Sequence, residues 1–211
     1  MSTLDPFYPI FDSYAWIERL VPLGIKLVQL RVKDQGEAVL RQEIDRAKSF
    51  CSAHHCQLIV NDYWQLAIDL ECDYVHLGQE DLDDADLTAI RKNHIKLGIS
   101  THDHSELQRA LALQPDYIAL GPVYETILKK MPFAPQGVDR VREWKSLVGE
   151  IPLIAIGGLK LERAAAVFEA GANVVSLVTD ITLNPDPETQ VRKWLEVTAQ
   201  FREQTAALPI S

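Results

Sequence analysis

Charged side chains follow several short apolar segments of this sequence, at positions where parallel strands would end. Arg31 and Lys33 come directly after the segment Leu27–Leu30. Residues two apart on an extended chain point to the same side, so this pair can neutralise a phosphate group. Lys129 and Lys130 repeat the feature after a later apolar segment. The recurrence favours phosphate binding over a merely solvated strand end.

Two carboxylates occupy similar positions after two other apolar segments. Asp62 follows Leu58–Val60, and Asp81 lies shortly after Val75–Leu77. Mg²⁺ is held in proteins by one or two carboxylates together with water and substrate phosphate oxygens. Either aspartate alone has a structural alternative, since it can cap a helix N-terminus. Because both stand near basic residues, we expect them to face each other and bind Mg²⁺ with a diphosphate.

A pair of glycines, Gly157-Gly158, follows Leu153–Ile156 and precedes a segment of helical spacing. Small residues at such a position let backbone N–H groups approach a phosphate at a helix N-terminus. A Gly-Gly pair is also common in tight turns, so it is weak evidence alone. Its place after the seventh apolar segment, with Ser176–Thr179 after the eighth, is typical of the phosphate-binding corner of barrels.

The elements that position these residues are predicted from alternation. Short apolar segments alternate with longer segments of helical spacing, which indicates a parallel sheet with crossover helices. The predicted strands are Phe7 to Phe11, Leu27 to Arg31, Gln57 to Val60, Tyr74 to Leu77, Lys96 to Ser100, Tyr117 to Gly121, Leu153 to Ile156 and Asn173 to Val178. Eight strands close a (β/α)₈ TIM barrel, which we expect as a single domain over residues 1–211. The polar strand ends then converge at one rim.

Three connecting segments carry further expectations. Helices are predicted over Thr101 to Leu113 and over Leu161 to Ala170, the second ending at Gly171. The longest connection without a clear pattern is Pro122 to Gln136. Long loops in compact domains are usually functional or disordered, and its two lysines favour an active-site loop.

Composition excludes several classes of partner. The formal charge is −9, from 21 Lys+Arg against 30 Asp+Glu, which disfavours nucleic acid. No uncharged apolar run approaches the ~20 residues that cross a bilayer, so no membrane partner is expected. Three cysteines without a C-x-x-C pair, and no signal-peptide pattern, indicate a cytoplasmic location. The expected partners are small phosphorylated molecules, and a homo-oligomer is left open.

Ordered motifs run through nearly the whole chain. They are Gln29-Leu30-Arg31-Val32-Lys33, Asn61-Asp62, His76-Leu77-Gly78-Gln79-Glu80-Asp81, Gly98-Ile99-Ser100, Gly121-Pro122-Val123-Tyr124 with Thr126 and Lys129, Gln136-Gly137, Ile156-Gly157-Gly158, and Gly171-Ala172 leading to Ser176. Each motif is common, but the series in this order is specific. On these motifs the sequence closely resembles the thiamine phosphate synthase family.

The resemblance implies a Mg²⁺-dependent transferase. Such an enzyme joins hydroxymethylpyrimidine diphosphate to hydroxyethylthiazole phosphate, giving thiamine monophosphate and diphosphate, by charge stabilisation without a catalytic side chain. It implies that the pyrimidine diphosphate is held by Gln29, Arg31, Lys33, Asn61, Ser100 and Lys129, within a segment that includes Leu30 and Val32. It implies Asp62 and Asp81 as Mg²⁺ ligands. It also implies a thiazole-phosphate site around Thr126, Gly158, Val178 and Thr179, with Ile127 and Leu128 in the adjoining substrate-binding loop.

The sequence departs from the family pattern at a few positions. Many relatives carry Pro-Thr-x-Thr-Lys after the sixth strand, whereas this chain reads Glu125-Thr126-Ile127-Leu128-Lys129 and lacks the second hydroxyl. Leu159-Lys160 replaces a usual polar residue, and Asp180 stands where a small residue is common. These changes are expected to retune the phosphate corner without abolishing it.

Three other functions compete with the synthase. A thiazole tautomerase resembling TenI shares the pattern, and Glu125-Thr126 leans that way, but that family has a histidine where this chain has Pro122. A non-catalytic ligand sensor on the same barrel would need no metal site, so Asp62 and Asp81 disfavour it. A sugar-phosphate epimerase would need paired acid and base residues, which we cannot assign in this sequence.

Overall fold

Eight parallel strands form a closed barrel in the computed structural model of the protein, which describes residues 4–126 and 134–206. The strands are β1 Phe7–Phe11, β2 Leu27–Leu30, β3 Gln57–Asn61, β4 Tyr74–Leu77, β5 Lys96–Thr101, β6 Tyr117–Leu120, β7 Leu153–Ile156 and β8 Val174–Leu177. Each strand pairs with the next in the chain, and β8 pairs with β1. The predicted (β/α)₈ TIM-barrel fold is confirmed.

Helices follow the strands and cover the outside of the barrel. They are α1 Tyr14–Leu20, α2 Glu37–Ala53, α3 Trp64–Asp69, α4 Asp81–Asp84, α5 Leu87–Lys92, α6 His104–Ala112, α7 Gly137–Val148, α8 Leu161–Glu169, α9 Thr179–Thr182 and α10 Pro187–Ala206, with a 3₁₀ turn at Val21–Leu23. In the described part of the chain, no helix is both long enough and apolar enough to cross a bilayer.

Two layers of side chains make up the core, because alternate residues of a strand point to opposite faces. One layer lies between the strands and the helices and contains the fully buried Trp144 and Trp194. The other fills the barrel and includes Tyr8, Tyr74 and Tyr117. Burial on both faces explains why the strands are mostly apolar in the sequence, without a regular alternation of polar residues.

The predicted strands differ from the observed ones by one residue at several ends. The larger difference is at Thr101, which was predicted to open a helix but lies in β5. The helix that follows, α6, begins at His104, because the Asp103 carboxylate caps it by accepting a hydrogen bond from the Glu106 amide at 2.9 Å. Thr101 is instead fully buried, donates to the Ala119 carbonyl at 3.0 Å and accepts from Trp144 Nε1 at 2.9 Å.

Candidate active site at the C-terminal rim

A cavity of about 670 Å³ opens at the carboxyl ends of the strands. Six predicted site residues line it: Arg31, Ser100, Thr126, Gly158, Val178 and Thr179. These residues lie at or just after the carboxyl ends of β2, β5, β6, β7 and β8, so the barrel brings together side chains that are distant in sequence. A larger cavity of about 940 Å³ lies at the opposite rim, and none of its lining residues was predicted as a site residue.

The cationic segment after β2 divides its side chains between two environments. Arg31 and Lys33 are exposed at the rim, and Lys33 Nζ forms an ion pair with Asp62 Oδ2. Leu30 and Val32 are buried in the layer between the strands and the helices. Their predicted contact with a substrate would therefore have to be made by backbone atoms.

The two predicted metal ligands lie side by side on neighbouring strand ends. Asp62 adopts a left-handed conformation, with φ of 65°, and its amide donates to the His76 carbonyl at 2.9 Å. Asp81 Oδ2 accepts a hydrogen bond from the Gly78 amide at 3.0 Å. A Cβ atom on residue 78 would stand 2.9 Å from that oxygen, so glycine there leaves room for the carboxylate.

The electrostatics of this carboxylate pair are unfavourable in the protein alone. Burial raises the pKa of the Asp81 carboxyl above its ordinary value, and the neighbouring Asp62 carboxylate raises it further. The Gly78 amide and Lys33 act in the opposite direction but do not cancel the effect. Two carboxylates are thus held close together, and their mutual repulsion is only partly offset by neighbouring groups. The same situation is found at sites that bind a cation.

Polar side chains also line the barrel interior just below the rim. Asn61 is 5% exposed, and among the described residues its Nδ2 atom has no hydrogen-bond partner. Ser100 Oγ lies 2.8 Å from His76 Nε2, and the Ser100 carbonyl accepts from Gln79 Nε2 at 2.7 Å. An unpaired buried donor costs free energy, so Asn61 is poised to donate to a ligand.

A chain of buried hydrogen bonds crosses the barrel beneath these residues. Gln29 Nε2 donates to the Tyr8 hydroxyl at 2.7 Å, and this hydroxyl lies 3.1 Å from the Tyr117 hydroxyl. The Tyr117 hydroxyl lies 2.7 Å from His76 Nδ1, and His76 Nε2 completes the chain to Ser100. The chain therefore joins two predicted pyrimidine-binding residues, Gln29 and Ser100, from opposite ends.

Burial determines the protonation states of the titratable side chains in this hydrogen-bond chain. It lowers the pKa of His76 to about 4, so the imidazole is neutral near pH 7. It raises the pKa of the Tyr8 and Tyr117 hydroxyls well above the ordinary value, so both keep their protons. Gly98 makes room for the chain, because a Cβ atom at that position would overlap the Tyr117 ring.

The Gly157-Gly158 pair is tightly enclosed by the loop after β6. Both residues have positive φ, 100° and 61°, where other residues are strained. A Cβ atom on Gly157 would lie 2.6 Å from the Pro122 Cα atom, and one on Gly158 would overlap the Glu125 carbonyl oxygen. The glycines thus let the β6 loop approach, which brings Thr126 to the cavity.

Some expectations lie outside the described residues, and some site residues were not foreseen. The structure does not describe the predicted loop residues Ile127, Leu128, Lys129 and Lys130. The sequence did not indicate Tyr8 and Tyr117 as site residues, because aromatic residues in strands ordinarily indicate packing only. Trp16 also lines the cavity and stacks on Phe11 with ring centroids 6.1 Å apart. The sequence gives no signal for that position.

Fold and site together define a (β/α)₈ barrel protein that gathers basic and acidic side chains at its C-terminal rim. Residues 7–181 match the family model described as thiamine monophosphate synthase. The thiamine-phosphate synthase of Rhizobium etli is 63% identical over 199 residues, covering 94% of this chain and 98% of that protein. The same enzyme of Cronobacter sakazakii is 44% identical over 190 residues, 90% of each chain. The chain therefore belongs to the thiamine monophosphate synthase family and is a transferase.

A solved structure supports the same fold. The thiamine phosphate pyrophosphorylase of Pyrococcus furiosus superposes with a TM-score of 0.83 at 19% identity, covering 93% of this chain and 96% of that one. At this identity the likeness establishes the barrel, and the nearer sequence relatives establish the family.

Proposed function

We propose that this protein condenses hydroxymethylpyrimidine diphosphate with hydroxyethylthiazole phosphate to form thiamine monophosphate, in a reaction that requires Mg²⁺. The observation that carries the proposal is the cluster of Lys33, Asp62 and Asp81 at the rim beside Arg31 and the 670 Å³ cavity. A diphosphate leaving group is stabilised by basic side chains and by a metal ion. In this cluster Lys33 supplies positive charge, and Asp62 and Asp81 supply metal ligands.

The donor set fits Mg²⁺. Asp62 and Asp81 provide hard carboxylate oxygens close together, and Mg²⁺ typically takes one or two such ligands and completes its shell with water and phosphate oxygens. Burial and repulsion from Asp62 raise the pKa of Asp81, and a bound dication would offset that repulsion. When bound, the ion would supply charge stabilisation to the departing diphosphate.

The residues proposed for the pyrimidine diphosphate surround this cluster. Arg31 and Lys33 contribute positive charge at the rim, and the unpartnered Asn61 Nδ2 supplies a buried donor. Lys129 completes the set in our proposal on the strength of its motif. Gln29 and Ser100 lie lower, at the ends of the buried chain, where they suit the pyrimidine ring.

The thiazole phosphate is assigned to the part of the cavity formed at the ends of β6, β7 and β8. Thr126 and Thr179 provide hydroxyl groups, and Gly158 and Val178 line the wall with small or apolar surface. The residues Ile127 and Leu128 belong to the same substrate-binding loop in this proposal. This arrangement would place the two substrates next to each other above the barrel, as an intermolecular displacement requires.

The reaction needs no protein nucleophile. The bond between the pyrimidine methylene carbon and the diphosphate oxygen breaks, and its electron pair leaves with diphosphate. The thiazole nitrogen then uses its lone pair to form the new carbon–nitrogen bond, so no proton has to be transferred. The side chains stabilise charge that grows on the leaving group, and the cavity aligns the partners and excludes water.

A direct assay tests the proposal. Purified protein is incubated with both phosphorylated precursors, with and without Mg²⁺, and thiamine monophosphate is quantified by chromatography. We expect product only with Mg²⁺, and a loss of turnover on the order of 100-fold or more in Asp62→Asn and Asp81→Asn. The matched control is Asp84→Asn, an exposed carboxylate of the same short helix, which should change turnover by no more than about twofold. Folded protein that forms no product at any Mg²⁺ concentration would refute the proposal.

The same assay addresses the competing functions. A thiazole tautomerase or a ligand sensor would have no use for the carboxylate pair, so neither Asp62→Asn nor Asp81→Asn would affect it. A cytoplasmic location belongs to this proposal, since Cys51, Cys56 and Cys72 are all free thiols in the structure. Assembly as a homo-oligomer stays a prediction.

A further inference from the structure

The hydrogen-bond chain inside the barrel has a fixed direction, which follows from counting donors. A glutamine Nε2 can only donate, so the Tyr8 oxygen accepts from Gln29. The Tyr8 hydroxyl proton then has one partner within reach, the Tyr117 oxygen. The Tyr117 hydroxyl proton is in turn directed to His76 Nδ1.

The direction continues to the far end of the chain. Because His76 accepts at Nδ1, its ring proton is on Nε2 and is donated to Ser100 Oγ. The Ser100 hydroxyl proton is thereby left to point away from His76. At the other end, the Gln29 amide is oriented with Nε2 toward Tyr8, which leaves Oε1 as an acceptor. No described residue donates to that Oε1 atom or accepts from the Ser100 hydroxyl.

The two ends of the chain therefore present opposite polarity. Gln29 offers an acceptor and Ser100 offers a donor, and both are held by buried groups, with Gln29 2% exposed and Tyr117 fully buried. An aminopyrimidine has the complementary edge, since its exocyclic amine donates and its adjacent ring nitrogen accepts. A pyrimidine with an oxo group in place of the amine has this pattern inverted.

We propose that Tyr8, Tyr117 and His76 are positioning residues that fix Gln29 as an acceptor and Ser100 as a donor, and so select an aminopyrimidine over an oxopyrimidine. This inference rests on the proposed function, because it concerns how the pyrimidine substrate of that reaction is recognised. None of the three residues has to touch the substrate. Their effect is to remove the freedom of the two end groups to rotate or flip.

Residues of the hydrogen-bond chain and one neighbour in the same layer provide a matched set of variants for the test. Tyr117→Phe interrupts the hydrogen bonds at the centre and keeps the ring that packs over Gly98. Tyr8→Phe interrupts them next to Gln29. Tyr74→Phe is the control, because Tyr74 lies in the same inner layer with its ring 5.5 Å from that of Tyr117, but its hydroxyl bonds to no described residue.

The experiment measures binding by titration calorimetry, using the aminopyrimidine diphosphate and its oxo analogue with Mg²⁺ and without the thiazole substrate. Melting temperatures confirm that each variant is folded. We expect Tyr117→Phe and Tyr8→Phe to weaken aminopyrimidine binding about tenfold relative to Tyr74→Phe, which is ~1.4 kcal/mol. The preference for the amino over the oxo compound should fall by a similar factor, which a general loss of stability would not produce. The double variant should lose little more than either single one, since one interruption already disconnects the ends.

Other results would overturn the inference. A Tyr117→Phe protein whose affinity and amino/oxo ratio both lie within threefold of Tyr74→Phe would show that the chain only fills space. A wild-type protein that prefers the oxo analogue would show that the chain runs in the opposite direction. Failure of the wild type to form thiamine monophosphate is a separate outcome, because it would refute the proposed function and remove the basis for this inference.

Discussion

Asp180 links two helices through buried hydrogen bonds, and the structure predicts what its loss would do. Its Oδ2 atom accepts hydrogen bonds from Gln190 Nε2 at 2.7 Å and Trp194 Nε1 at 2.8 Å. Trp194 is fully buried, Gln190 is 8% exposed, and both belong to α10. The carboxylate thus ties the short helix α9, whose Thr179 lines the cavity, to the long helix α10.

The expected cost of Asp180→Ala follows from these two bonds. The substitution leaves two buried donors unsatisfied, each costing about 1–3 kcal/mol. Asp180 is only half-buried, so water can partly replace the carboxylate, and we expect a loss of about 2–4 kcal/mol in the free energy of unfolding. In a protein of this size that corresponds to a fall in Tm of roughly 4–16 °C.

The assay is thermal and urea-induced unfolding of Asp180→Ala beside Asp180→Asn. Asparagine keeps the volume and one acceptor oxygen, and a single oxygen serves both donors in the native protein, so its loss should be less than half as large. Since α9 begins at Thr179 in the cavity, Asp180→Ala should also raise KM for the thiazole phosphate more than KM for the pyrimidine diphosphate. A Tm within 2 °C of wild type for Asp180→Ala would refute the reasoning, since ~1 kcal/mol or less would then be at stake.

Two further substitutions test the barrel interior and the carboxylate pair. Gly98→Ala should lower the free energy of unfolding by about 1–3 kcal/mol, because its methyl group would overlap the Tyr117 ring; unchanged urea unfolding would contradict this. Asp81→Asn should raise the Tm of the metal-free protein by roughly 1–2 °C at pH 7 while abolishing synthase activity, because it removes repulsion from Asp62 and keeps an acceptor for Gly78. A raised native pKa favours folding at low pH and loses that contribution as pH rises through it, so the Tm difference should shrink on acidification. A difference that grows as pH falls would contradict the assignment.

The sequence predicted most of the barrel because local and tertiary preferences agree there. Each strand is a short, mostly apolar run bounded by polar or glycine residues, and burial on both faces removes any regular alternation of polar residues. Thr101 shows where this agreement ends. Its polar character and the polar residues after it suggest a helix start, but its hydroxyl is satisfied inside the protein by Ala119 and Trp144. Partners 18 and 43 residues away decide its environment, and no local pattern reports them.

The candidate site was predictable to the extent that it follows from strand ends. Arg31, Asp62 and Ser100 needed only the rule that the carboxyl ends of parallel strands meet at one rim. The buried chain needed more, because Tyr8 and Tyr117 are 109 residues apart and meet only through the stagger of the closed barrel. Alternation indicates which strand residues point inward, but it does not indicate which of them touch across the interior.

Gly157 and Gly158 show why one sequence feature can have two causes. The sequence indicated glycines that let backbone N–H groups reach a phosphate, and the structure supplies an independent requirement, positive φ and the close approach of Pro122 and Glu125. The two requirements support each other, because the loop packed against the glycines also carries Thr126 on the cavity wall. A side chain at position 158 would therefore displace the loop in the ligand-free protein. It would lower the stability of the protein even without a ligand, in addition to any effect on ligand affinity. In the proposed function, substrate binding at this corner would depend on how closely these two backbone segments pack, and the glycines allow that close packing.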